Sequence, residues 1–222
     1  MVERMLRLFT VVMLPALLLA AIAPLDARAQ TRKWEITPTF SYMWAGSYQT
    51  IDGDIHLDDG AQYGGIIDYA FQKDARFEFY YATLASHATF SPYYIGVPSA
   101  LDGLDVDMRV HYFQVGSIYQ LPRGKAQPFF GLLMGAVLFS PSGQGPTNVT
   151  LSDTWRFAIS FEAGVKIYLS EVVGLRLQGR LMLPIYFYGG GLWVGTGGAS
   201  VGVSGGIPIV QGDLGVGLVI AL

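Results

Sequence analysis

Trp155-Arg-Phe-Ala-Ile-Ser-Phe-Glu-Ala-Gly-Val-Lys-Ile167 alternates apolar residues with small or charged ones. Successive side chains of a strand point to opposite sides. Trp155, Phe157, Ile159, Phe161, Ala163, Val165 and Ile167 therefore share one face, and Arg156, Ser160, Glu162 and Lys166 share the other. The stretch has 13 residues, enough to cross a bilayer as a tilted strand, which takes about 9–11. Its charged face cannot meet lipid, so the segment predicts one strand of a membrane barrel.

Composition agrees with that expectation. Charged residues make up 14 % of the chain, against about 25 % in ordinary globular domains. No stretch beyond residue 30 gives a long apolar helix. Residues 181–212 are uncharged, but nine glycines from Gly189 to Gly206, with Pro184 and Pro208, oppose helix formation. Backbone groups in lipid are satisfied only in helices or closed barrels.

Residues 1–29 read as a cleaved secretory signal. Arg4 and Arg7 precede a charge-free run over 8–23, and Ala27-Arg28-Ala29 fits the small-x-small cleavage pattern. One domain, residues 30–222, remains, with 11 basic and 15 acidic groups and a formal charge of −4 once three basic and two acidic signal residues are removed. The acidic balance gives no footprint for nucleic acid. The absence of cysteine excludes disulfides and thiolate chemistry.

Six further segments alternate in the same way, about 33–45, 61–72, from about 75, 104–121, 174–183 and 212–222, and a seventh, about 128–139, is apolar on both faces with Gly131 and Gly135 on its inner side. In the segment over 104–121, Val106, Met108, Val110 and Tyr112 oppose Asp105, Asp107, Arg109 and His111. Reading the apolar set as lipid-facing requires a bulge near Tyr112 to restore register. Short connections near 73–74, 122–126 and 170–172 alternate with long ones near 46–60, 86–103, 140–152 and 184–211. Outer-membrane barrels alternate in this manner. Trp34, Tyr69 and Tyr168 at one end, and Tyr42, Trp44, Tyr63 and Trp155 at the other, read as aromatic girdles. The fold expected is all-β: an eight-stranded antiparallel up-and-down transmembrane β-barrel in the outer membrane of a Gram-negative envelope.

Residues 33–222 resemble the eight-stranded outer-membrane β-barrel domain family, the OmpA-like transmembrane barrel group. The strand count, girdles and loop asymmetry carry the resemblance, with the stretch Tyr119-Gln-Leu-Pro-Arg-Gly-Lys-Ala-Gln-Pro-Phe-Phe-Gly131. It implies outer-membrane lipid, lipopolysaccharide and the barrel assembly machinery as partners. The last residue, Leu222, departs from the aromatic residue with which such barrels usually end.

The alternation turns six cations inward, namely Arg76, Arg109, Arg156, Lys166, Arg176 and Arg180. Seven carboxylates go with them: Glu35, Asp68, Glu78, Asp105, Asp107, Glu162 and Asp213. Their near-balance predicts an internal charge network, above all among Arg76, Glu78, Arg109, Glu162, Lys166, Arg176, Arg180 and Asp213. An eight-stranded barrel is just wide enough for its side chains to fill, so the network reads as packing first and as the lining of a narrow pore second.

Catalysis has thin support. Ser86-His87 with Asp102, and His111, are the residues that a lipid A-modifying site would draw on, but neighbours along a strand point apart. Asp52, Asp54, Asp58 and Asp59 give a sparse oxygen set for a hard cation, without the spacing of a known calcium loop. No cofactor is expected. The reading is a non-enzymatic outer-membrane barrel with a structural, envelope-integrity or surface-interaction role; a small pore or hydrophobic-ligand channel, and a lipid A-modifying enzyme, are the alternatives.

Overall fold

The computed structural model describes residues 32–49, 53–93, 103–121, 124–143, 152–185, 187–195, 198–205 and 210–222. Among the described residues the strands are β1 (Trp34–Trp44), β2 (Ser47–Gln49), β3 (Gly53–Leu57), β4 (Gly60–Ala70), β5 (Ala75–Pro92), β6 (Asp105–Gln120), β7 (Ala126–Ser142), β8 (Thr154–Tyr168), β9 (Val173–Ile185), β10 (Phe187–Gly195), β11 (Gly198–Gly205) and β12 (Gln211–Ala221). The expected signal segment, residues 1–29, lies outside the described residues.

Eight strands close on themselves in the order β1-β4-β5-β6-β7-β8-β9-β12 and back to β1, each antiparallel to its neighbours. Closure leaves no edge whose backbone groups would face lipid. The β2–β3 hairpin adds to the far end of β5, pairing Gly53 with Pro92 and Leu57 with Ala88. β10 and β11 form a separate two-stranded sheet within the fourth long connection.

The outer wall is apolar. Ile36, Phe40, Phe79, Phe161, Leu177 and Val216 are all exposed on it. Two aromatic belts bound the wall. Trp34 and Tyr69 (ring centroids 4.7 Å apart) and Tyr119 and Phe130 (5.5 Å) lie at the short-turn end. Phe40 with Tyr63 (5.3 Å) and Phe113 with Trp155 (5.9 Å) lie toward the long-connection end. Such rings match the polarity of the two membrane interfaces.

β6 corrects the sequence reading. Its pairing with β5 runs without a shift from Thr89↔Asp105 to Ala75↔Tyr119, so it has no bulge. Val106, Val110, Tyr112, Gln114 and Ile118 are buried inside, whereas Asp105, Asp107 and Arg109 are exposed on the outer wall. Tyr168 corrects the girdle: it shares the parity of Glu162 and Lys166 on β8 and is buried inside the barrel.

Candidate functional site in the barrel interior

The inward faces of β1, β4, β5, β8 and β9 supply the charges near the short-turn end. Lys166 of β8 is 2.7 Å from Glu35 of β1 and 2.5 Å from Asp68 of β4. Arg76 of β5 is 3.0 Å from Glu35, and the Tyr168 hydroxyl donates to the same carboxylate at 2.7 Å. Arg176 of β9 meets Asp68 at 3.4 Å, Glu78 at 2.9 Å and Glu162 at 3.0 Å. Two pleat repeats further along β9, Arg180 binds Glu162 at 2.6 Å.

These contacts cross the lumen. β9 and β5 stand four strands apart in either direction around the barrel, as do β8 and β4. Arg176–Glu78 and Lys166–Asp68 are thus spans from wall to opposite wall. Aromatic faces cover the guanidinium planes: Arg176 lies 4.3 Å from the Phe129 centroid and Arg180 3.5 Å from that of Tyr80. A planar, weakly hydrated guanidinium suits that placement. Arg176, Lys166 and Glu35 are 0 % exposed and Arg76 6 %, so the layer is almost wholly shielded from solvent.

Buried charges must be paired to be tolerated, and losing one partner is costly. Among the described residues the buried set is Arg76, Lys166, Arg176 and Arg180 with Glu35, Asp68, Glu78, Glu162 and Asp213, four cations to five carboxylates. Asp213 of β12 is the odd member. It is 1 % exposed and neither carboxylate oxygen has a hydrogen-bond partner.

Next comes a neutral polar layer. Ser41 and Tyr80 donate to Gln62 (2.9 and 3.1 Å), Ser160 donates to Gln114 (2.8 Å), and Tyr112 donates to Gln211 (2.9 Å). Toward the long-connection end the interior turns apolar, with Met43, Leu84, Val110, Val137 and Met182 packed together. A second apolar cluster, Ala88, Leu104 and Val106, continues it, and Leu57 and Met108 pack against both.

Of the residues singled out from sequence, Arg76, Glu78, Glu162, Lys166, Arg176, Arg180 and Asp213 lie together inside. Arg109 does not, because β6 presents the opposite face. Arg156 is half-buried, its Nη1 donating to the Trp155 carbonyl at 3.1 Å. Phe129, Gln178 and Tyr168 complete the layer. For Tyr168 the signal was its even spacing from Lys166.

The remaining chemistry-bearing residues are dispersed. The Ser86 hydroxyl donates to the Asp58 carbonyl at 2.8 Å, while His87 sits between Asp105 and Asp107; Asp102 lies outside the described residues. His111 Nδ1 is 3.1 Å from the Tyr81 hydroxyl on the outer wall. Asp59 accepts from the Ala45 N–H and Asp54 from the Tyr93 hydroxyl, so those two carboxylates do not converge; Asp52 lies outside the described residues. Among the described residues no group of three or more such side chains is arranged to hold a metal ion.

A closed eight-stranded barrel with a lipid-matched wall and a self-filled interior defines the class: by fold this is an eight-stranded outer-membrane β-barrel. The Neisserial surface protein A shares that fold at a TM-score of 0.55 and 15 % identity, covering 85 % of this chain and 97 % of its own. The outer membrane protein OprG from Pseudomonas aeruginosa does so at 0.57 and 13 % identity, covering 89 % of this chain and 100 % of its own. No family model and no curated protein sequence matches the chain.

Proposed function

We propose that the protein is a non-enzymatic, non-conducting barrel of the outer membrane. It supports envelope integrity or presents its long-connection end for surface interaction. Arg176 carries this reading: wholly buried, it bridges carboxylates on three strands across the lumen. An ion pathway needs a wet or exchangeable lining, and these groups are committed to one another. A signal cleaved after Ala29, delivery by the barrel assembly machinery, and contact with outer-membrane lipid and lipopolysaccharide belong to the same proposal. The expected phenotype of a deletion strain is detergent sensitivity with unchanged uptake of small hydrophilic solutes. Selective loss of one solute's uptake contradicts it.

One observation favours a second reading, capture of a hydrophobic ligand from outside the cell. The two apolar clusters join through Leu57 and Met108 into a continuous column that stops above the charged layer. Uptake of a medium-chain alkane by cells producing the wild-type chain or Met108→Lys tests it. Equal rates in the two strains dismiss the column as a ligand path.

A further inference from the structure

Beyond the aromatic belt the barrel wall continues as the outer parts of β5 and β6, and one side chain joins them on the outside. His87 of β5 lies opposite Asp107 of β6, and Thr89 lies opposite Asp105. The His87 Nδ1 is 3.2 Å from Asp107 Oδ1, and its Nε2 contacts Asp105 Oδ1. Both partners accept hydrogen bonds. A neutral imidazole has one N–H, so it can satisfy one carboxylate while turning a lone pair toward the other; an imidazolium donates to both.

The inner face of the same segment is apolar. Ala88 and Val106, each next in sequence to a member of this trio, are buried with Leu104 against Ile55, Phe90 and Met108. The β5–β6 backbone ladder runs through this segment to Thr89 and Asp105, so a side-chain tie here adds to the wall that surrounds the outer apolar cluster. We propose that His87 is a proton-operated clasp: as imidazolium it binds Asp105 and Asp107 together and keeps the β5–β6 end closed over the apolar interior. When its proton leaves, one carboxylate is released and this end loosens.

The surroundings permit that role. On β6 the next outward residue is Arg109, opposite Ala85, and beyond it His111 is engaged with Tyr81. From the β3 side come His56, opposite Thr89 and 3.1 Å from the Ser47 hydroxyl, and Asp58, whose N–H donates to the His87 carbonyl. Asp54 and Tyr93 pair with each other at the far end. From β7, uncharged Ser142 lies opposite Asp107. The hydrogen bonds that His87 donates to Asp107 and then to Asp105 raise the pH at which it titrates, and desolvation opposes them in part. The sign follows: the clasp is fully engaged below the ordinary histidine value of about 6.5, and is lost as pH rises through the higher value of the folded protein.

Hydrogen exchange of the full chain in lipid nanodiscs, corrected for intrinsic rates, reads the clasp at the amides of 88–90 and 105–108. Expected is exchange up to about fivefold slower near pH 5.5 than near pH 8.5, the scale of one exposed ion pair. His87→Gln should exchange at the faster rate at both pH values, and Asp105→Asn with Asp107→Asn should likewise remove the pH dependence. His56→Gln and His111→Gln should retain it. Equal exchange at the two pH values in the wild type, or a dependence that survives His87→Gln, overturns the proposal.

Discussion

Arg176 of β9 places Nη2 2.9 Å from Glu78 Oε2 on the opposite wall of the barrel, with both side chains wholly buried. The pair acts as a strut. Its worth lies less in Coulomb attraction than in the cost of leaving either end alone in a dry interior.

Arg176→Met should therefore be strongly destabilising. It strips Asp68, Glu78 and Glu162 of a shared cation. Loss of one partner from a buried network costs about 3–5 kcal/mol. Urea unfolding from lipid vesicles, followed by the heat-modifiable gel shift, measures it. A midpoint like that of the wild type refutes the strut.

Asp213→Asn should behave in the opposite sense. Its carboxylate accepts no hydrogen bond and makes the fifth negative charge against four positive ones. Replacing an unsatisfied buried charge by a neutral isostere should raise stability by roughly 1 kcal/mol. Glu162→Gln, which weakens contacts to both Arg176 and Arg180, should lower it in the same assay. Equal losses in the two variants would show Asp213 to be paired.

Glycine tolerance should split by face. A Cβ on inward Gly164 would lie 2.1 Å from the Leu177 carbonyl oxygen and 2.7 Å from the Phe129 ring, which covers Arg176. On outward Gly65 its nearest neighbour is the Thr37 carbonyl oxygen at 3.9 Å. Gly164→Val should cost about 3 kcal/mol or more through overpacking, and Gly65→Val should fold normally. Normal folding of both would place Gly164 outside the packed interior.

Phe161 and Glu162 are neighbours in chain with opposite surroundings: Phe161 is exposed on the lipid wall and Glu162 is buried inside. Phe161→Arg should cost about 2–4 kcal/mol at mid-membrane depth. The same folding assay in vesicles reads it. No loss would mean that this wall does not face lipid.

The sequence disclosed the strands because a barrel wall between lipid and a polar lumen imposes a period of two. Trp155–Ile167, the lower half of β5 and β9 as far as Leu181 follow that rule. It misled at β6 for a physical reason. Beyond the aromatic belt the outside of the wall is water and the inside is an apolar column, so the code inverts. Val106, Met108 and Val110 face inward there, while Asp105, Asp107 and Arg109 face out. Read with one polarity throughout, β6 appears to need a bulge; read by parity alone, its inward set runs evenly from Val106 to Gln120. Pairings across the lumen, such as Lys166 with Asp68, depend on which strands end up opposite. No local pattern encodes that.

Single-channel recording of the purified wild-type chain in a planar bilayer tests the sealed lumen most directly. Locked struts between opposite walls predict a flat baseline over the working voltage range, with steps appearing only when Arg176 or Lys166 is replaced by a small residue. Steady, reproducible steps from the wild-type protein would contradict a lumen closed by its own charges.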